Sequence, residues 1–91
     1  MYNKPWRIVK EVYEVGKRQQ LKIRFLGRSE AGSKIYEDEF GNTVYYATGS
    51  KRLEEKDKWY TITAKVTIFC IDAYGDDYRA YDIFNPREIK K

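Results

Sequence analysis

The sequence predicts an all-β fold: a small barrel of five or six strands, with residues 1–91 forming a single domain. Three observations carry that expectation. Nearly every periodic segment alternates apolar and polar residues with period two, the mark of half-buried strands. The stretches between them are rich in Gly, Asn, Asp and Ser, the residues of turns. No segment is long enough to hold a stable amphipathic helix. Nine Tyr, four Phe and two Trp make up 16% of the chain, so large rings can build a compact core despite 35% charged residues.

The first strand is expected in "PWRIVKEVYEV" (5–15), rich in β-branched and aromatic residues, with "GKRQ" turning the chain around Gly16. "LKIRFLGR" (21–28) alternates cleanly, placing Leu21, Ile23 and Phe25 on one face and Lys22 and Arg24 on the other. "GRSEAGS" (27–33) reads as a loop. "KIYEDEF" and "TVYYAT" flank Gly41-Asn42, which predicts a two-residue type II′ hairpin with Gly41 at positive φ. "GSKRLEEKDK" (49–58) lacks strand character and allows at most one helical turn near 50–56, capped by Ser50. "WYTITAKVTIFCI" is the longest strand, with Tyr60, Ile62, Ala64, Val66 and Ile68 inward and Thr61, Thr63, Lys65 and Thr67 outward. After the turn "DAYGDD", "YRAYDIF" is the last strand, stopped by "NP", and "REIKK" is expected to fray. An open sheet of this size leaves long edges exposed, whereas a closed one does not. An OB-like Greek-key barrel fits the length best, and an SH3-like barrel is the next choice.

Composition argues against catalysis. The chain has no histidine, the commonest general base and metal ligand. The acidic groups "EDE" (37–39) and "GDD" (75–77) lack the spacing of a calcium loop and read as solvated turns. There is no phosphate-cradling glycine loop before a helix and no nucleophile elbow, so no cofactor or metal is expected. The single Cys70 forms no internal disulfide and is expected to be a small buried hydrophobe. No apolar run reaches membrane-spanning length and no signal peptide precedes the domain, so the expected location is cytoplasmic and no membrane partner is expected.

Binding is the better reading. The formal charge of +4 favours anionic partners. Lys22 and Arg24 project from the polar side of a core strand, with Lys17, Arg18 and Arg28 at or near its ends, a stripe suited to a phosphate backbone. Of the adjacent pair Tyr45 and Tyr46, one ring faces the core and the other a surface. Tyr36, Tyr74 and Tyr78 add further rings. Aromatic side chains beside Lys and Arg make the stacking platform of single-strand binders. Tyr and Arg also anchor protein interfaces, which keeps a protein partner as the alternative.

Three segments, "IYEDEFGNTVYYATGS", "LEEKDKWYTITAKV" and "YGDDYRAYDIFNPREI", resemble small OB-fold modules of phage and mobile-element DNA-processing proteins. A D-x-x-G-N hairpin and a final strand after a Y-G turn recur in those modules. The resemblance covers roughly residues 34–88 and implies single-stranded nucleic-acid binding through the barrel face, with Tyr45 or Tyr46, Lys65 and the Tyr74–Arg79 turn at the site. Two features depart from it: the acidic "GDDYR" turn and the additional N-terminal segment. Both point towards adaptation for a protein partner, such as an inhibitor of a host nuclease. Together the two lines nominate Arg18, Lys22, Arg24, Tyr36, Tyr46, Lys65, Tyr74, Tyr78 and Arg79 as a nucleic-acid-binding set.

Overall fold

The computed structural model describes residues 6–48, 50–73 and 76–89. Five strands, β1 (Lys17–Arg28), β2 (Lys34–Asp38), β3 (Thr43–Tyr46), β4 (Trp59–Ala73) and β5 (Asp76–Glu88), close into a barrel in the order β1-β2-β3-β5-β4. All neighbours are antiparallel except β3 and β5. The fold is therefore all-β and OB-like, with no helix among the described residues. None, accordingly, is long and apolar enough to cross a membrane.

One strand makes closure possible. The first part of β1 pairs with β4, from Lys17↔Val66 to Arg24↔Trp59, and its last part with β2, from Ile23↔Asp38 to Arg28↔Lys34. A bulge between Phe25 and Gly27 bends the strand from one partner to the other. Gly27 sits there at φ +152°, a conformation that side chains with a Cβ rarely adopt. The alternation read from the sequence fills the interior: Leu21, Ile23 and Phe25 meet Tyr36, Val44, Tyr60, Ile62, Ala64, Val66, Tyr81 and Ile83.

Several expectations are corrected. Residues 6–15 form no strand and serve as a strap across one barrel end. Asn42 Oδ1 accepts from the backbone of Val9 (2.7 Å) and Lys10 (2.8 Å), and Thr43 N donates to the Arg7 carbonyl (2.9 Å). Tyr13 packs edge-on against Tyr81, with ring centroids 4.8 Å apart. The β2–β3 turn is one residue longer than predicted. Asp38 N donates to the Asn42 carbonyl (3.0 Å) and Gly41 N to the Asp38 carbonyl (3.2 Å), leaving a loop of Glu39, Phe40 and Gly41. Gly41 has the expected positive φ (+88°), as the third residue of such a loop requires.

The segment 50–58 contains no helical turn, because Leu53 takes φ +58° and breaks the repeat. Ser50 Oγ instead accepts from Arg52 N in a local turn (3.2 Å). Leu53 is buried and joins the core, and its carbonyl accepts the Tyr36 hydroxyl (2.8 Å). The last strand does not stop at Asn85-Pro86. A second bulge, with Asn85 at φ +50°, carries pairing on to Ile62↔Glu88, and Ile89 N still donates to the Thr61 carbonyl (2.8 Å). Finally, β4 and β5 outrun the barrel as a two-stranded ribbon, so Ile68 and Cys70 are exposed rather than buried.

Candidate functional site

Pairing of β1 with β4 settles which cations meet. Arg18 lies opposite Lys65, Lys22 opposite Thr61, and Arg24 opposite Trp59, all on the outer face. β5 extends the face, with Phe84 opposite Lys65 and Arg87 opposite Thr63. The row from Arg18 to Arg24 spans six residues, roughly 20 Å of strand. Four of the nominated residues (Arg18, Lys22, Arg24 and Lys65) thus share one surface. Trp59, 50% exposed, and Phe84, 43% exposed, stand at opposite ends of it.

Each cation is held differently. Arg18 Nη2 donates to the Thr63 carbonyl (3.1 Å), the Thr63 hydroxyl (3.1 Å) and the Asn85 carbonyl (2.9 Å), which fixes its guanidinium over β4. Arg24 lies 5.6 Å from the centre of the Trp59 ring and pairs with Glu37 at 3.3 Å, while its Nε is buried without a partner. Lys22 and Lys65 are exposed and form no ion pair among the described residues. Arg18 opposite Lys65 is a like-charge pair across two strands, an arrangement unfavourable without a counter-anion. Lys17 and Arg28 are engaged elsewhere. Lys17 pairs with Glu14 (3.1 Å), and Arg28 ties Gly32, Thr48, Ser50 and Glu54 together at the far end of β1.

The β2–β3 side of the barrel has different chemistry. Tyr45 is the outward member of the tyrosine pair, and its ring stacks on Phe69 at 4.7 Å and 8°, with Trp6 of the strap 5.2 Å away. Its hydroxyl accepts from Ser33 Oγ (2.9 Å). Asp82 is the neighbour of both Tyr45 and Thr67 in the sheet. One of its carboxylate oxygens is buried without a partner, and burial raises its pKa. In OB folds the β2–β3 face and the adjoining loops take oligonucleotides. Here the strap covers part of that face and a carboxylate lies within it.

The remaining nominated residues do not join the basic face. Tyr36 is fully buried, its phenol held above the ordinary value chiefly by that burial, so it is core and offers no stacking surface. Tyr46 packs against the core, with Lys34 Nζ 5.8 Å from its ring centre. Lys34 is itself buried and donates to the Arg52 carbonyl. Tyr78 and Arg79 sit on the β4–β5 ribbon. Arg79 lies five residues from Phe84, roughly 16 Å along β5. Tyr74 lies outside the described residues. No group of three metal-ligating side chains occurs among the described residues. Trp59 and Phe84 were missed by sequence reasoning. Alternation could have found Trp59, which has the same parity as Thr61, Thr63 and Lys65.

Comparison with known protein families, curated proteins and solved structures finds no match to this chain.

Proposed function

We propose that the chain is a non-enzymatic OB-type module that binds single-stranded DNA or RNA along its β1–β4–β5 face with little sequence preference. The observation that carries this reading is the alignment of Arg18, Lys22, Arg24 and Lys65 across two paired strands, between the exposed rings of Trp59 and Phe84. In this reading Lys22, Lys65 and the anchored Arg18 meet phosphates, and the two rings stack bases. The strand order β1-β2-β3-β5-β4 suits an OB-type barrel, and the D-x-x-G-N hairpin is the sequence feature that resembles phage and mobile-element modules. The formal charge of +4 suits an anionic partner, and a cytoplasmic setting goes with the reading.

The test is fluorescence anisotropy with labelled oligo-dT and a duplex of equal length over a salt series. Three or four neutralised phosphates predict a log–log slope of about −2 to −3 on single strands, with the duplex bound more weakly. A salt-independent affinity, or a preference for the duplex, rejects the reading. A protein partner is the second reading, favoured by exposed Val9, Val12 and Val15 on the strap and Ile68 at the root of the ribbon. An inhibitor on the same barrel belongs to this reading. Silence towards oligonucleotides, with stoichiometric capture of a protein, selects it.

A further inference from the structure

Beside the basic face stands a carboxylate that, unlike Glu37, is not neutralised by an ion pair among the described residues. Glu39 projects from the β2–β3 turn and lines, with Lys22, Trp59 and Thr61, an open cleft of about 330 Å³. Lys22 and Thr61 are a cross-strand pair, and Trp59, next on the same face of β4, is paired with Arg24. The cleft is at the small end of the roughly 300–1,000 Å³ range of small-molecule sites. Glu39 is exposed and enters no ion pair among the described residues. A free carboxylate beside Lys22 weakens phosphate attraction, so a role towards another part of the ligand accounts for it better.

We propose that this cleft holds one unpaired base and selects those with an exocyclic amino group, cytosine over thymine or uracil. This rests on the single-strand reading above and adds a preference at one position of an otherwise tolerant surface. Trp59 supplies the stacking ring. Arg24, steered by Glu37 at 3.3 Å, lies against that ring and limits its freedom before any ligand arrives. A carboxylate only accepts hydrogen bonds. It therefore takes an N–H from cytosine N4 and repels the O4 that thymine presents at the same position. Lys22 and the Thr61 hydroxyl reach groups that both pyrimidines share, the O2 carbonyl and the phosphate, so discrimination falls on Glu39.

The experiment is competition anisotropy at pH 7.5 with oligo-dC and oligo-dT of one length, using the full chain and Glu39→Gln. Wild type should prefer oligo-dC by roughly three- to tenfold, below the full value of a bidentate base contact because the cleft is open. Glutamine both donates and accepts, so in Glu39→Gln the ratio should fall towards one, mainly through tighter oligo-dT binding. Glu39 is an exposed turn residue whose side chain carries no hydrogen bond among the described residues, so the variant should fold normally. Equal wild-type affinities overturn the cleft proposal alone. So does a Glu39→Gln variant that binds both oligonucleotides more tightly with the ratio unchanged, since the carboxylate would then act only by repelling phosphates. If neither oligonucleotide binds at low salt, the single-strand reading falls and the cleft proposal falls with it.

Discussion

Asn42→Ala tests how the strap is held. Asn42 is fully buried, and its side chain makes four hydrogen bonds. Oδ1 accepts from Val9 N (2.7 Å) and Lys10 N (2.8 Å), while Nδ2 donates to the Lys10 carbonyl (2.8 Å) and to Asp38 Oδ2 (2.9 Å). Asp38 in turn accepts from Phe40 N (2.8 Å), Asn42 N (2.8 Å) and the Tyr13 hydroxyl (2.7 Å), so one buried carboxylate ties turn, strap and barrel together. Three neutral bonds at about 1 kcal/mol each and one to a charged group at about 1.5–3 kcal/mol give a gross loss near 5 kcal/mol. Water reaches the strap amides once they lift, which lowers the net loss to about 2–4 kcal/mol. A domain of this length has roughly 5–14 kcal/mol in total. At 4–8 °C per kcal/mol the melting temperature should fall by at least about 8 °C. Thermal and urea denaturation measure the loss, and hydrogen exchange at Val9 and Lys10 locates it. A melting temperature within about 3 °C of wild type, with those two amides still protected, would refute the reasoning.

Three further outcomes follow from the same geometry. Gly27→Val forces a branched side chain into φ +152° at the bulge that hands β1 from β4 to β2. It should cost roughly 1–3 kcal/mol in urea denaturation, and an unchanged midpoint would contradict it. Burial raises the phenol pKa of Tyr13, Tyr36 and Tyr81, with the Asp38 hydrogen bond adding to the effect at Tyr13. The unfolded chain therefore releases these protons near pH 10 while the native state keeps them. Stability should be full below that pH and then fall by up to about 1.4 kcal/mol per pH unit for each tyrosine. The buried Lys34 has a lowered pKa and adds a slope of opposite sign just below pH 10.5. Tyr13→Phe should remove one tyrosine's share of the alkaline slope, and an identical slope would refute the assignment. Trp59→Ala should weaken oligonucleotide binding by roughly 1–3 kcal/mol with little change in stability. Tyr45→Ala should do the reverse, because its ring already stacks within the barrel surface. The opposite pattern would put the ligand on the β2–β3 side.

Period-two alternation made the barrel wall legible. Leu21, Ile23 and Phe25 in β1 and Tyr60, Ile62, Ala64 and Val66 in β4 face the core as their spacing requires. The misreadings of residues 6–15, of Ile68 and Cys70, and of Asn85-Pro86 share a cause: each depends on a partner distant in sequence. Residues 6–15 have strand composition, but their bonds go to Asn42 and Thr43, more than 30 residues away, so they lie as a strap. Ile68 and Cys70 continue the inward parity of β4 beyond the point where a barrel exists to receive them. Asn85-Pro86 looks like a stop, yet opposite Thr63 and Lys65 it becomes a bulge that the paired strand continues past. For the candidate site, parity alone placed Lys22 and Arg24 outward. Their meeting with Lys65 and Trp59 depends on the β1–β4 register, which composition does not encode.

That register also bears on where a ligand would sit. On the β2–β3 side, Tyr45, Phe69 and Trp6 pack against one another, and Asp82 places a carboxylate with one buried, unpartnered oxygen in the same sheet face. A phosphate backbone approaching there would have to displace the strap and then meet that carboxylate. On the β1–β4–β5 side, Arg18 faces Lys65 with no acid between them, and the rings of Trp59 and Phe84 are exposed. The strap and the Asp82 carboxylate therefore lie on the side that OB folds ordinarily offer to nucleic acid. Arg18, Lys22 and Lys65, which enter no ion pair among the described residues, lie on the other with the open rings of Trp59 and Phe84. Glu39 stands beside Lys22 at the edge of that face. A polyanion with stacking bases lowers the electrostatic cost of the second face and only raises that of the first, so the strap and the cationic rows favour the same docking side.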